Sequence, residues 1–232
     1  MKIGIASYKR PKCRTASTLL DAGISPSDIY IGVQTEEDYK EYSDAHQVNV
    51  IYAPSDCAGG NRNNLIKSID DELLLLDDDI TSFAYWNGQK YITDTKTALK
   101  RMLESLQGVA DEWALAGVSP TANGLIRKSR SEISYLTLLQ GTVLFVKDKS
   151  LLFNEKWKMV EDYEISLRAI RMGLNTIRLN NFVANKPKNG SNAGGLHERY
   201  ANNELPIWIT RLSKVYPEFK PNKDKTGGYV KL

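Results

Sequence analysis

Short apolar runs alternate with polar or amphipathic stretches along the first third of the chain. The runs at 2–7, 28–34, 48–53 and 72–77 have the length and composition of buried strands. The stretches between them carry helix signals, and one helix is expected to begin after Thr35, which is a suitable N-cap. Strands and helices therefore alternate with short connections, which predicts a mainly parallel α/β sheet covered by helices on both faces.

The rest of the chain has a less regular pattern. Further strands are predicted at 114–119, 140–148 and 175–180. Helices are predicted at 59–69, 93–113 and 160–173 and within 199–216. Loops are predicted at 123–133 and 184–195, and a mobile tail at 220–232. No internal repeat or low-complexity boundary divides the sequence, so we predict one domain over residues 1–232.

Composition adds few constraints. The 232 residues are 41% hydrophobic and 25% charged, which is ordinary for a globular protein. No apolar run is long enough to span a bilayer, and the first residues lack the apolar core of a signal peptide. Cys13 and Cys57 have no metal-binding spacing, so a reduced, cytoplasmic protein without membrane contact is expected. A net charge of +3 is compatible with an anionic partner but does not require one.

The segment LLLLDDDI (73–80) places three aspartates directly after a predicted buried strand. Ligands of open parallel sheets bind at the carboxyl ends of the strands, where these acids lie. Side chains alternate along an extended segment, so Asp77 and Asp79 are expected to point to the same side. Two carboxylates on one side suit Mg²⁺ or Mn²⁺, which keeps coordination positions for phosphate oxygens. The alternative is a solvated acidic turn.

Two other segments are expected at the same edge of the sheet. SYKRP (7–11) ends the first strand, and GGNRNN (59–64) opens a helix whose free N–H groups would face an anion. Arg62 adds a forked donor suited to phosphate. Arg62 is equally suited to pair with a carboxylate of the aspartate triplet, and the two roles are compatible.

The order of these segments, followed by GTVLFVKD (141–148) and VEDYEISLRAIRMG (160–173), resembles the GT-A glycosyltransferases over roughly residues 2–180. The resemblance implies a single-domain, Rossmann-like mixed sheet flanked by helices. It also implies a nucleotide-sugar half at about 1–113, an acceptor half at about 114–198 and a C-terminal helix and tail at 199–232.

The resemblance further implies roles for individual residues. Asp77 and Asp79 would hold Mn²⁺ or Mg²⁺ on the diphosphate of a nucleotide sugar, and Asp78 would face the ribose or sugar of the donor. The loop after the first strand would hold the nucleoside, and the Arg-Asn pair before the fourth strand would belong to the same donor site. The positions implied for these last two roles are Ser7, Tyr8, Arg10, Arg62 and Asn63.

A second acidic motif, Glu161 and Asp162, opens the predicted helix at 160–173. Acids at a helix N-terminus also offset the macrodipole, so a purely structural role is a strong alternative. In the inverting enzymes that the chain resembles, an Asp in such a pair deprotonates the acceptor hydroxyl. The resemblance thus implies Asp162 as the general base, with Glu161 as the second candidate, in a hexosyl- or pentosyltransferase. The sequence leaves retention of configuration open.

Two histidines occur in the chain. His46 ends a polar helix and is expected to be a surface or capping residue. His197 follows a glycine-rich loop, and the resemblance makes it a candidate third metal ligand; the alternative is an exposed loop histidine. Lys186 and Lys188, in the same region, either meet phosphate in a closing lid or are solvated.

The acceptor is the least constrained part of the prediction. Arg127, Lys128 and Arg130 share one loop, and Tyr85, Trp86 and Trp157 supply aromatic surfaces. This combination suits a nucleic acid, although a solvated basic loop is the simpler interpretation. The chain also looks similar to the TET-associated glycosyltransferases of bacteriophages. That resemblance implies a UDP-sugar donor and a hydroxymethylated pyrimidine, such as 5-hydroxymethylcytosine, in double-stranded DNA as acceptor, in the host cytoplasm.

Three rival functions remain open. The enzyme could glycosylate a saccharide or another small acceptor. A nucleotidyltransferase would share the sheet and the acidic metal ligands but would release pyrophosphate, and SYKRPKCR (7–14) lacks the glycines that such enzymes usually carry after the first strand. A non-catalytic nucleic-acid-binding module would bind DNA without metal or nucleotide sugar.

Overall fold

The structure, a computed structural model, describes residues 1–109, 113–187 and 195–231. Its strands are β1 (Lys2–Ala6), β2 (Ile29–Val33), β3 (Asn49–Tyr52), β4 (Leu73–Asp77), β5 (Ser82–Trp86), β6 (Tyr91–Thr93), β7 (Leu115–Ser119), β8 (Ile133–Tyr135), β9 (Val143–Val146), β10 (Thr176–Asn185), β11 (Phe219–Pro221) and β12 (Gly228–Val230). Its helices are α1 (Arg14–Asp21), α2 (Glu36–Ala45), α3 (Ala58–Ser68), α4 (Thr95–Gln107), α5 (Gly124–Lys128), α6 (Glu161–Arg171), α7 (His197–Ala201) and α8 (Leu205–Val215).

Ten of these strands form one mixed sheet. The order along the sheet is β3-β2-β1-β4-β9-β7-β10-β5-β6, and β8 pairs with β10. The first four strands of the chain are parallel, β9 runs antiparallel to β4 and β7, and β10 is parallel to β7. The predicted α/β class, with a mixed sheet flanked by helices, is confirmed.

The four leucines of β4 explain why this strand is apolar without interruption. Leu74 and Leu76 belong to a core cluster that includes residues of α1, α2 and α4. Leu73 and Leu75 belong to the cluster on the opposite face, which includes residues of α3 and α6. All four side chains are buried, and each contributes about 1.5–3 kcal/mol of transfer free energy. Burial on both faces fixes the strand that carries the acids.

The structure differs from the predictions in the second half of the chain. The hydrophobic pattern did not predict β5 and β6. The predicted loop at 123–133 contains α5 and the start of β8. The helix predicted at 93–113 ends at Gln107, and residues 110–112 lie outside the described part of the chain. The last predicted helix is α8, and α7 precedes it.

The tail, predicted to be mobile, contains regular secondary structure. Residues of the tail form the antiparallel hairpin β11–β12, with Phe219 opposite Val230. Phe219 is buried in a third cluster with Leu212 of α8 and Leu167 of α6. The buried side chain of Phe219, just before the polar residues 220–232, supplies apolar burial that those residues lack.

Within the described ranges, every helix falls short of the length or apolar character needed to cross a bilayer.

Candidate active site

A cavity of about 540 Å³ opens at the carboxyl ends of β1 and β4. The starts of α3 and α6 reach the same cavity, as the topology of a parallel sheet requires. Nearly all of the predicted site residues line it. They are Ser7, Tyr8, Arg10, Arg62, Asp77, Asp78, Asp79, Glu161, Asp162 and His197. The structure thus brings these residues together, and their roles stay predictions; Asn63 does not line the cavity.

Asp77 ends β4 and makes ion pairs with two cations. Its Oδ1 accepts a hydrogen bond from Arg62 Nη2 at 2.8 Å, and its Oδ2 accepts one from Lys186 Nζ at 2.7 Å. Burial alone would raise the pKa of Asp77, but the positive charges of Lys186 and Arg62 outweigh this effect and lower it well below its usual range. Asp77 is therefore a carboxylate in the folded protein.

Asp78 is buried and ties two chain segments together. Its carboxylate accepts hydrogen bonds from Ser7 Oγ and from Arg10 Nη1, each at 2.6 Å. Tyr42 completes this network, because its hydroxyl bonds Ser7 Oγ and accepts from the Arg10 backbone N–H, both at 2.7 Å. Burial raises the pKa of Asp78, and Arg10 and Ser7 oppose that shift. The network holds the loop after β1 against the turn after β4.

Three cations thus balance the aspartate triplet. Arg62 and Lys186 lie at Asp77, and Arg10 lies at Asp78 and 3.6 Å from Asp79 Oδ2. The same cations give the cavity groups that attract phosphate. The predicted pairing of Arg62 with the triplet is confirmed, and its contact with phosphate stays a prediction.

Asp77, Asp79 and His197, predicted as metal ligands, carry suitable groups. In the described structure, their donor atoms do not form a group of three within 4.8 Å of one another. Asp77 and Asp79 offer carboxylate oxygens at the cavity surface, which suit a hard divalent cation. His197 is exposed and begins α7 at the rim of the same cavity. Across residues 1–109, 113–187 and 195–231, Asp56, Cys57 and Glu155 are the three potential ligands whose donor atoms lie within 4.8 Å of one another. Lys186 bonds Asp77 Oδ2 at 2.7 Å, so it would compete with an ion bound at Asp77 and Asp79.

Arg62 connects the two acidic motifs of the sequence. While one of its nitrogens bonds Asp77, Nη1 donates to Glu161 Oε1 at 2.6 Å. Nη2 also donates to the Gly141 carbonyl at 3.3 Å, and the guanidinium lies 5.4 Å from the centre of the Phe153 ring. The buried guanidinium holds the start of α6 beside the end of β4. A Cβ atom at position 141 would lie 2.7 Å from Nη2, so this arrangement requires glycine there.

Asp162 is a carboxyl group whose pKa is raised towards neutral pH. Its Oδ2 accepts from the Gly141 backbone N–H and its Oδ1 from the Tyr163 N–H, both at 2.8 Å. Burial and the negative charge of Glu161 raise the pKa of Asp162 to about 7. Bonds to backbone groups hold the carboxylate in place at the wall of the cavity, where it can take a proton.

The asparagine of the helix start that reaches the cavity is Asn61. Asn63 instead bonds Phe153 and Glu155 on the side away from the cavity. Asn61 Nδ2 donates to the carbonyls of Ser7 and Gly32 at 3.2 and 2.8 Å, which fixes the ends of β1 and β2. The helix begins at Ala58 and is capped by Cys57 Sγ. The predicted start, residue 59, is one residue too late.

The remaining histidine and lysine predictions have mixed outcomes. His46 lies at the C-cap of α2, as predicted, and its Nε2 is 2.5 Å from the Pro11 carbonyl oxygen. Lys186, expected to meet phosphate or solvent, pairs with Asp77. Lys188 lies outside the described residues.

Comparison with known proteins agrees with a sugar-transferring enzyme class. The family model described as TET-Associated Glycosyltransferase matches residues 1–195. The chain belongs to the TET-associated glycosyltransferase family, which supports a transferase activity and confirms the resemblance seen in the motifs.

One of the similar solved structures is a glycosyltransferase. It is the crystal structure of the glycosyltransferase GlyE in Streptococcus pneumoniae TIGR4, with 14% sequence identity and a TM-score of 0.37. The alignment covers 93% of this chain and 63% of that one, so the present chain spans less than two thirds of GlyE. No curated protein matches the chain.

Proposed function

We propose that this protein transfers a sugar from a UDP-sugar to the hydroxyl group of a 5-hydroxymethylpyrimidine in double-stranded DNA, with inversion at the anomeric carbon. The observation that carries the proposal is the sharing of one cavity by a cation-balanced aspartate triplet and by Asp162, whose pKa is about 7. The first group suits a diphosphate, and the second suits an acceptor hydroxyl. The resemblance to the phage enzymes, together with family membership, supports the DNA acceptor.

The donor is proposed to bind on the side of β1 and β4. The nucleoside would lie against Ser7, Tyr8 and Arg10, within the half at 1–113, and the acceptor would approach through the half at 114–198. Arg62 and Lys186 would contact the diphosphate, because both guanidinium and ammonium groups bind phosphate oxygens well.

Asp77 and Asp79 are proposed to hold Mn²⁺ or Mg²⁺, with His197 as a third ligand. Their oxygen donors fit such an ion and lie at the cavity surface. When bound, the ion supplies Lewis-acid stabilisation of the departing diphosphate. Lys186, which pairs with Asp77, would contact the phosphate oxygens.

The chemistry assigned to the chain itself is proton removal. Asp162 accepts the proton of the acceptor hydroxyl while that oxygen forms a bond to the anomeric carbon. The bond from the anomeric carbon to the diphosphate oxygen breaks, and UDP leaves with the electron pair. Glu161 is assigned to hold Arg62 in place, because its Oε1 accepts a hydrogen bond from Arg62 Nη1 at 2.6 Å.

The test is an assay of both products with hydroxymethylated duplex DNA, UDP-sugars and Mn²⁺. We expect release of UDP and a base heavier by one sugar residue, detected by mass spectrometry. Asp162→Asn should abolish both signals, while Asp70→Asn, which removes an exposed acid after α3, should not.

Other outcomes would contradict the proposal in distinct ways. Pyrophosphate release would indicate a nucleotidyltransferase. Sugar transfer to a free saccharide but not to DNA would exclude the DNA acceptor. DNA binding that needs neither metal nor donor, without any transfer, would indicate a binding module.

A further inference from the structure

Three arginines from two separate segments are joined by hydrogen bonds. Arg127 and Arg130 belong to α5 and the turn that follows it, and Arg178 lies on β10. We call these three residues the arginine cluster. The sequence had suggested a solvated basic loop, but Arg127 is buried and the other two are only partly exposed. The cluster is therefore built into the fold.

Hydrogen bonds hold the cluster in a fixed arrangement. Arg127 Nε donates to Asn181 Oδ1 at 2.6 Å, and its Nη1 donates to the Arg130 carbonyl at 2.9 Å. Asn180, itself buried, accepts from Arg178 Nε at 3.0 Å and donates to the carbonyl of Ser131 at 3.0 Å. The same asparagine thus binds Arg178 on one side and the residue next to Arg130 on the other.

The positive charge of the cluster is poorly balanced within the described part of the chain. The one carboxylate near it is Glu132, at 3.9 Å from Arg127 Nη2, and its side chain is 79% exposed, so water screens it. Arg130 Nη1 is buried and makes no hydrogen bond to the described residues. Burial and the charge of Arg130 lower the pKa of Arg178 to about 10. Guanidinium groups held together in this way are stabilised when an anion binds between them.

The position of the cluster indicates which anion it would bind. Arg178 lies close enough to Tyr163 to lower its pKa, against burial and the charge of Asp162, which raise it to about 12. Tyr163 lines the cavity directly after Asp162. The strand that carries Arg178 also runs to the cavity, because Lys186 directly follows β10 and pairs with Asp77 at the cavity wall. Both observations connect the cluster with the proposed acceptor side, whereas the donor phosphates are assigned the cations at the aspartate triplet.

We infer that the arginine cluster binds a backbone phosphate of the DNA acceptor and so positions the target nucleotide at Asp162. The inference rests on the proposed function, because a phosphate at this place belongs to an acceptor that is a nucleic acid. Guanidinium forks match phosphate oxygens, and such contacts fix the register of a duplex without reading its sequence.

The test measures binding of a short duplex containing 5-hydroxymethylcytosine by fluorescence anisotropy at several salt concentrations. The variants are Arg130→Gln and Arg178→Gln, with Arg178→Lys as the conservative change. Lys67→Gln, on the exposed end of α3, is the matched control for loss of one positive charge. UDP binding in the presence of Mn²⁺ is measured on every variant by thermal shift, which also reports folding.

We expect each glutamine variant to weaken DNA binding about tenfold. The slope of log Kd against log salt should fall by about 1 per arginine, as for loss of one phosphate contact. UDP binding should not change, Lys67→Gln should bind DNA like the parent, and Arg178→Lys should recover part of the loss because it keeps the charge.

Three results would overturn the inference. If the parent binds DNA and the glutamine variants bind it equally well, the cluster is not a phosphate site, although the proposed function stands. If UDP binding falls together with DNA binding in folded variants, the cluster serves the donor. If the parent itself neither binds nor glycosylates DNA, the proposed acceptor and this inference fail together.

Discussion

Replacement of Arg62 by methionine removes the cation that joins the two acidic motifs of the cavity. Methionine keeps much of the volume of the buried arginine side chain, including its packing on Phe153, but makes none of its hydrogen bonds. After the change, Asp77 keeps its ion pair with Lys186 at 2.7 Å. Glu161 loses its hydrogen bond at 2.6 Å and retains a buried carboxylate with no cation bonded to it in the described structure.

The loss of stability in Arg62→Met follows from this difference between Asp77, which keeps a cation, and Glu161, which does not. Breaking a buried ion pair by removal of one partner costs about 3–5 kcal/mol, because the other charge stays buried without compensation. For a chain of this size, that corresponds to a fall in Tm of about 6–20 °C. Removing both charges should cost less than removing one, since Glu161→Gln in the Arg62→Met background replaces the stranded carboxylate by a neutral amide.

The assay is urea unfolding followed by tryptophan fluorescence for the parent, both single variants and the double variant. We expect a coupling free energy of about 1.5 kcal/mol or more, with the double variant more stable than Arg62→Met alone. Lys67→Met, at an exposed position of the same helix, should change stability by less than about 0.5 kcal/mol. Additive effects of the two site changes would refute the interpretation of Arg62 as the joint between the motifs.

Three further predictions concern the chemistry of the site. Asp162 must be a carboxylate to accept a proton, so we expect the transfer rate to rise as pH increases through about 7, and Asp162→Asn to lose about 10²–10⁴-fold in kcat with UDP affinity unchanged; a flat pH profile would contradict this. Lys186→Gln removes a cation that competes at Asp77, so calorimetry should show tighter Mn²⁺ binding, and unchanged or weaker binding would place the ion elsewhere. Gly141→Ala puts a methyl group 2.7 Å from Arg62 Nη2, so Tm and activity should fall together, whereas Gly108→Ala, with no contact closer than 3.6 Å, should leave activity unchanged.

The parts of the fold that could be predicted are those whose pattern reports burial directly. The β4 leucines face helices on both sides, so their run is apolar throughout. The α2 start is marked by Thr35, whose side chain accepts from the Asp38 N–H at 3.0 Å. In contrast, β6 is a three-residue strand at the edge of the sheet with no buried residue, and its neighbour β5 has only two buried residues. Their alternation is too brief to distinguish from loop.

The candidate site was predictable to the extent that it is formed at strand and helix ends. Asp77 ends β4, and Asp162 lies in the first turn of α6. The sequence pattern predicted both of these elements. The partners that the sequence missed arrive from distant segments. Lys186 reaches Asp77 across 109 positions of the chain. Arg178 is linked to the residue after Arg130 through Asn180, in the region where β10 pairs with β8. Such contacts depend on strand order beyond β4, where the regular alternation had stopped.

The account depends on recognition of a UDP-sugar and a divalent ion by the aspartate triplet. A thermal-shift panel of nucleotide sugars, with and without Mn²⁺, tests this most directly. We predict that a UDP-sugar raises the Tm of the parent only when Mn²⁺ is present, and that Asp79→Asn removes this effect while Asp70→Asn keeps it. Absence of any shift with every nucleotide sugar, or an equal shift without metal and in Asp79→Asn, would contradict the central claim.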